Sequence, residues 1–237
     1  SVNHVIPCGN GTDALQIALM ALDLKPGDEI ITTPFTFIST AEVIALLGLN
    51  PVFVDVDPNT FNIDPSKIEE VITSKTKVII PVHLFGQSAD MDAIMKIAHK
   101  HDLKIVEDNA QAIGAETLID NKWKHTGTVG HIGTLSFYPS KNLSCFGDGG
   151  AITTNDPNLA EKIKIIANHG SSKKYYHKTV GVNSRLDSVQ GAILNEKLKH
   201  LKKYTESRQN LADAYDRAFA DIEGIDIPFR ASYSTHV

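Results

Sequence analysis

Short apolar, β-branched runs recur along the chain: DEIITTP (28–34), NPVFVDV (50–56), TKVIIPV (76–82), LKIVEDN (103–109) and IGTLSFY (132–138). Each is bounded by turn signals such as KPGD and DPNT, the pattern of strands inside a sheet. Helical periodicity lies between them, in TDALQIALMALD after Gly11, TAEVIALLG, PSKIEEVIT and DMDAIMKIAHKH. This alternation predicts an α/β fold with a mostly parallel sheet, helices packed on its faces and right-handed crossovers. A strand also opens the chain, and GAITT reads as another. Further helices are expected at 157–168 and 186–200, then a polar helix at about 203–221 and a strand at GIDIPF. The expected division is a large domain over 1–203, then 204–237 as a connecting helix and the incomplete start of a smaller C-terminal domain.

Composition narrows the class. The chain has 237 residues, 42% hydrophobic and 22% charged, as in ordinary globular proteins. Its net charge of −5 argues against a polyanion binder, so no nucleic-acid partner is expected. The most basic run, KLKHLKK at 197–203, interleaves cations with leucines and reads as a solvated helix face. Two cysteines, Cys8 and Cys145, form neither a disulfide frame nor a zinc pattern, so a reducing cytoplasm is the expected setting. No apolar run reaches the ~18 residues of a membrane span. The start, SVNHVIPCGNG, lacks the features of a signal peptide and enters a strand almost at once, as if the natural chain begins earlier.

Three short stretches carry chemistry. In GNGTDAL (9–15), glycines and a threonine open a helix whose free amides suit a phosphate, although the same residues are also plain capping chemistry. In VEDNAQAIGA (106–115), Asp108 ends an apolar strand and should face the crevice at the sheet's carboxyl edge. It could serve there as a metal ligand, a general base or the partner of a cationic ring, or simply cap the next helix. Gln111 lies near the same mouth. In SFYPSKNLSCFGDGGA (136–151), Lys141 follows a strand and precedes a glycine cluster. An amine, a buried carboxylate and a phosphate cradle are together what pyridoxal phosphate requires: a lysine for its aldehyde, a carboxylate for its ring nitrogen and a helix start for its phosphate.

GNGTDALQIAL, PFTFISTAE, EDNAQAIGA, SFYPSKNL with GDGGA, and VNSRLDSVQGAIL resemble the DegT/DnrJ/StrS sugar aminotransferases in order and spacing, over nearly the whole chain. The resemblance implies a fold type I pyridoxal phosphate enzyme that moves an amino group from an amino acid, L-glutamate by expectation, to a nucleotide-linked keto sugar for polysaccharide or glycan precursors. GTLSFYPSKNLSCFGDGG and NHGSSKKYYHKTVGVNSRLD look closest to members that aminate C3 of UDP-sugars. Carried over by residue, Lys141 matches the Schiff-base lysine, Asp108 the ring-nitrogen partner and Gln111 the neighbour of the ring's phenolic oxygen. Gly11 and Thr12 match the phosphate turn, Ser136 a hydroxyl on the same phosphate, and Phe37 an aromatic stacked on the ring. Asn183 matches a residue that reaches the neighbouring subunit's phosphate, which implies a homodimer with shared active sites. Family members are longer at both ends.

Other residues read as structural. Trp123, in a hairpin-like turn, reads as packing over a loop rather than substrate contact, His83 as a hydrogen-bonded core histidine rather than a pocket residue, and Cys145 as a packing residue rather than a nucleophile. His169 and His177 flank SSKKYY, where they could contact substrate phosphates. Two rival functions are a sugar dehydratase of the same family, which carries histidine where this chain has Lys141, and a non-catalytic regulatory protein.

Overall fold

Strands that are apolar at nearly every position must be covered on both faces, and that requirement sets the architecture. The computed structural model describes residues 2–237. Its elements are β1 (His4–Cys8), α1 (Gly11–Met20), β2 (Glu29–Thr32), α2 (Ser39–Leu46), β3 (Asn50–Phe53), β4 (Thr76–Ile79), α3 (Met91–Lys100), β5 (Lys104–Asp108), β6 (Glu116–Ile119), β7 (Lys122–His125), β8 (Ile132–Ser136), β9 (Gly150–Thr154), α4 (Pro157–Ala167), β10 (Ser171–Lys173), β11 (Tyr176–His177), α5 (Ser188–Leu198) and α6 (Leu201–Phe219). Seven strands form one sheet in the order β1-β9-β8-β5-β4-β2-β3. β8, β5, β4, β2 and β3 run parallel, while β9 is antiparallel to both β8 and β1. The fold is therefore α/β with a mostly parallel, mixed sheet, as expected.

Side chains alternate between two cores with the strand's period of two. Ile30, Val78, Ile80 and Val106 pack with Leu15, Ile17 and Ala18 of α1, Val43 and Ile44 of α2, and Ile163 and Ile166 of α4. Ile31, Ile79 and Ile105 face the other way, onto Met91, Ile94 and Ala98 of α3. A third cluster joins Phe137, Leu143, Cys145 and Ala151 to Leu194 of α5. Side-chain caps start α1, α3 and α4: Asn10 accepts from the Asp13 amide, Asp90 from Ala93, and Asp156 from Asn158 and Leu159.

Two expected elements take another form. PSKIEEVIT is two 3-10 turns, Pro65–Lys67 and Glu69–Val71, rather than an α-helix. Asp64 accepts from the Ser66 amide and hydroxyl, Ile68 is the buried pivot, and β-branched Ile72 leaves in an extended conformation (φ −71°, ψ 128°). GIDIPF is not a strand, and Ile225, Ile227 and Phe229 lie exposed. The chain after it does find an edge: the Leu118 amide donates to the Tyr233 carbonyl, and the Thr235 amide to that of Glu116. KLKHLKK straddles the break between α5 and α6, and Lys197 is not a free cation, since its Nζ donates to the Ser144 hydroxyl at 2.9 Å and lies 4.6 Å from the Phe146 ring centre. β6 and β7 pair as the hairpin that carries half-exposed Trp123.

One glycine pair separates close approach from open surface. A Cβ on Gly133 of β8 would overlap the Gly127 carbonyl and come within 2.5 Å of the Thr153 hydroxyl, whereas one on Gly191 of α5 would meet nothing within 4 Å. Gly133→Ala should cost about 3 kcal/mol, at the upper end of core overpacking. Gly191→Ala should stabilise by about 0.5–1 kcal/mol, by removing helix-interior glycine. Urea midpoints that moved together for both variants would contradict the close approach.

Candidate active site

The period of two also sorts the paired acids that end β5. Glu107 shares the α3 face with Ile105, and Asp108 shares the α1–α2 face with Val106. Both are buried. Glu107 accepts four hydrogen bonds, from the amides of Gly127 (2.7 Å), Val129 (2.8 Å) and Gly130 (2.6 Å) and from His83 Nε2 (2.9 Å). His83 Nδ1 accepts from the Ala89 amide at 3.1 Å, which leaves Nε2 as the nitrogen that donates to Glu107. Glu107 and His83 thus satisfy each other, and His83 is the structural histidine expected. Glu107 was not singled out from sequence; an acid inside an apolar strand was its only signal.

Asp108 is satisfied differently. One carboxylate oxygen accepts from the Thr40 hydroxyl at 2.8 Å and the other from the Ala110 amide at 3.2 Å, which leaves acceptor capacity for a ligand. Burial pushes its carboxyl above the usual range, while the Thr40 and Ala110 donors and then His83 and Lys141 act in the opposite direction. Asp108 lines a cavity of about 670 Å³ together with Gly11, Thr12, Phe37, Gln111, Ser136 and Lys141.

Each neighbour arrives for a local reason. α1 begins at Gly11 because Asn10 caps it, and the Gly11 and Thr12 amides precede any intrahelical partner. A Cβ on Gly11 would lie 2.7 Å from Ser136 Cβ, so glycine lets the helix start meet the end of β8. Phe37 is two-thirds exposed at the rim. Gln111 is oriented by its Oε1, which accepts from the Phe85 amide at 2.8 Å. Lys141 follows β8 in a turn closed by its amide on the Tyr138 carbonyl at 2.8 Å. Asn10, Asp13, Thr36, Tyr138, Ser140 and Asp148 also line the cavity and were not foreseen. Most flank a motif residue by one to four positions, and that proximity was the available signal.

Asn183 is not in this cavity. It lies exposed and bridges Asn168. Beneath it, buried Ser184 donates to Asp13 at 2.6 Å and accepts from the Gly9 amide at 2.8 Å, which ties the loop to the start of α1. Trp123, His169 and His177 also lie outside, the last with Nδ1 at 2.8 Å from the His169 carbonyl. Cys145 is buried in the third apolar cluster, where desolvation raises its thiol pKa.

The raised carboxyl of Asp108 has a consequence for stability. Its pKa in the fold exceeds the unfolded value of about 3.9, so the fold is disfavoured as pH rises through the folded pKa. Below the unfolded value both states are protonated and the penalty is gone. Stripped of any cofactor, Asp108→Asn should therefore melt a few degrees above the parent at pH 8, with the gap closing toward pH 4. A gap independent of pH would show that Asp108 is not strained by burial.

The sequence pattern of the DegT/DnrJ/EryC1/StrS aminotransferase family matches residues 1–237. A protein of Geobacillus stearothermophilus named as a pleiotropic regulatory protein is 54% identical over 221 residues, 93% of this chain and 58% of the relative. The UDP-2-acetamido-2-deoxy-3-oxo-D-glucuronate aminotransferase of Pseudomonas aeruginosa is 50% identical over 226 residues, 95% of this chain and 62% of the enzyme. The crystal structure of Streptomyces venezuelae DesV in complex with a ketimine intermediate superposes with a TM-score of 0.95 at 41% identity, covering 100% of this chain and 62% of DesV. The chain thus spans about three-fifths of the length of these relatives. With matched sequence along its whole length and the same fold, this chain belongs to the DegT/DnrJ/EryC1/StrS aminotransferase family.

Proposed function

We propose that the protein of which this chain is part is a pyridoxal phosphate-dependent aminotransferase, which moves an amino group from an amino acid, L-glutamate by expectation, to a nucleotide-linked keto sugar. The observation that carries the reading is one cavity lined by an amine, Lys141, a buried and only partly satisfied carboxylate, Asp108, and a helix start with open amides, Gly11 and Thr12. Aminotransferases of this family use pyridoxal phosphate, and the cavity's chemistry fits that group. The Gly11 and Thr12 amides and the Ser136 hydroxyl would hold its phosphate, Asp108 its ring nitrogen, Gln111 the ring hydroxyl and Phe37 a ring face. When bound, the cofactor supplies an aldehyde that carries the amine and a ring that accepts electrons.

The chain's own residues do the rest. Lys141 anchors the cofactor, and its released Nζ takes the proton from the donor's α-carbon as a general base. Delivery from a fixed turn makes this transfer effectively intramolecular. Asp108, anionic and shielded from water, favours a protonated ring nitrogen. The P. aeruginosa relative's substrate, a UDP-linked 3-oxo sugar, supports amination at C3 of a UDP-sugar here. A regulatory role is the second reading, supported by the name of the Geobacillus relative. Lys141 itself counts against the dehydratase alternative.

We also place the reaction in the cytoplasm and in a homodimer, the commonest closed assembly, with residues 204–237 leading into a smaller domain. Asn183 is exposed and away from its own chain's cavity, which supports its reaching the partner's phosphate.

Two measurements check this reading in the full-length protein. Borohydride reduction and peptide mapping should leave the cofactor on Lys141, and label on any other lysine would sink the assignment. Lys141→Ala and an Asn183 variant that no longer binds cofactor, each inactive, should regain partial activity when mixed, because a mixed dimer holds one intact site. Mixed dimers that form and stay inactive would mean that Asn183 serves its own subunit.

A further inference from the structure

Thr40 bonds both the buried carboxylate and the segment bearing the exposed aromatic at the cavity rim. It is the second residue of α2, wholly buried, and its Oγ1 donates to Asp108 Oδ2 at 2.8 Å across 68 positions of sequence. Its amide donates to the Phe37 carbonyl at 3.4 Å. The Thr36 hydroxyl lies 3.4 Å from the same Oγ1. A hydroxyl has one proton, so with Thr40 donating to the carboxylate, Thr36 is the donor in the second contact. The chain Thr36–Thr40–Asp108 therefore points its protons toward the carboxylate. α2 has no side-chain N-cap, since Ile38 stands at that position, so Thr40 is not engaged in capping its own helix.

We propose that Thr40 is a positioning residue that sets the orientation and charge of Asp108 and couples it to Phe37, so that the groups assigned to the edge and face of a cofactor ring are held by one side chain and its amide. The assignment rests on the cofactor reading above. A carboxylate buried this deeply is stable as an anion only to the extent that donors meet it, and Asp108 has two from the chain. One is the Ala110 backbone amide; the other is the Thr40 hydroxyl. Two further groups bear on Asp108 and favour its anion, His83 from behind the strand and Lys141 from the cavity side. Removing the hydroxyl leaves Asp108 with a single chain donor and frees the carboxylate to rotate. The Phe37 segment also loses its side-chain link to β5. Thr40 therefore acts through Asp108, and nothing requires it to touch substrate.

The test compares full-length holoprotein carrying Thr40→Val, which keeps the shape and removes the hydroxyl, with Thr40→Ser, which restores it, and with Asp108→Asn as the reference. Two readouts besides turnover are used: the rate of pyridoxal phosphate release and the pH midpoint of the visible band of the protein-bound cofactor. Thr40→Val should release cofactor roughly tenfold faster, the scale of a lost hydrogen bond to a charged group. Its midpoint should move in the same direction as that of Asp108→Asn, by less, and Thr40→Ser should return both readouts toward the parent. A Thr40→Val protein that matches the parent in release and midpoint overturns the proposal, and so does a Thr40→Ser protein that behaves like Thr40→Val, because the contact is then packing alone. A parent protein with no cofactor band traceable to Lys141 gives a separate result: the cofactor reading itself fails, and the role of Thr40 with it.

Discussion

Two adjacent carboxylates at the end of the central strand, both out of water, are the constraint on which the rest of the structure depends. A buried carboxylate is expensive unless donors surround it, and one without them shifts toward its neutral form. Glu107 meets four donors, three of them amides of the 127–130 turn, and is fully accounted for by the chain itself. Asp108 meets two and faces a cavity. The same residue chemistry at successive positions thus yields a structural anchor on one face of the sheet and an open acceptor on the other, and the strand's period of two makes that division.

The arrangement around Asp108 follows from the same economy of contacts. Gly11 has no side chain because α1 starts against Ser136, and Gly133 none because the Gly127 carbonyl occupies its place. The turn that begins at Gly127 is held by Glu107, so the anchor under β5 also fixes the neighbour of β8, the strand that leads to Lys141. Ser184 ties the loop of Asn183 to Asp13 in the first turn of α1, which links the proposed phosphate site to the residue proposed to serve a second subunit. On the proposed reading, a cationic ring nitrogen would offset the burial that raises the carboxyl of Asp108.

Much of this was legible in sequence because it is local or periodic. Apolar runs marked β2, β4, β5 and β8, and GNGT, EDNAQ and SFYPSK marked the cavity's walls by their positions at strand and helix ends. What sequence did not disclose depends on contacts between distant positions. The Thr40–Asp108 and Ser184–Asp13 bonds span 68 and 171 residues, and neither threonine nor serine advertises its partner. Glu107 was hidden by its neighbour, since an acidic pair in a strand does not state which member faces the cavity. PSKIEEVIT misled because its periodicity is helical over too short a length, with β-branched residues at its end. GIDIPF misled because β-propensity needs an adjacent edge, and here only the residues after it find one.

We propose that Asp108 is buried and left partly unpaired to hold a protonated ring nitrogen. The most direct measurement is the ¹⁵N NMR shift of the ring nitrogen in full-length protein loaded with ¹⁵N-labelled pyridoxal phosphate, for the parent and Asp108→Asn, near pH 8. A pyridinium shift is expected in the parent and a neutral pyridine shift in the variant. A neutral shift in the parent, or a pyridinium shift that persists in Asp108→Asn, would contradict it.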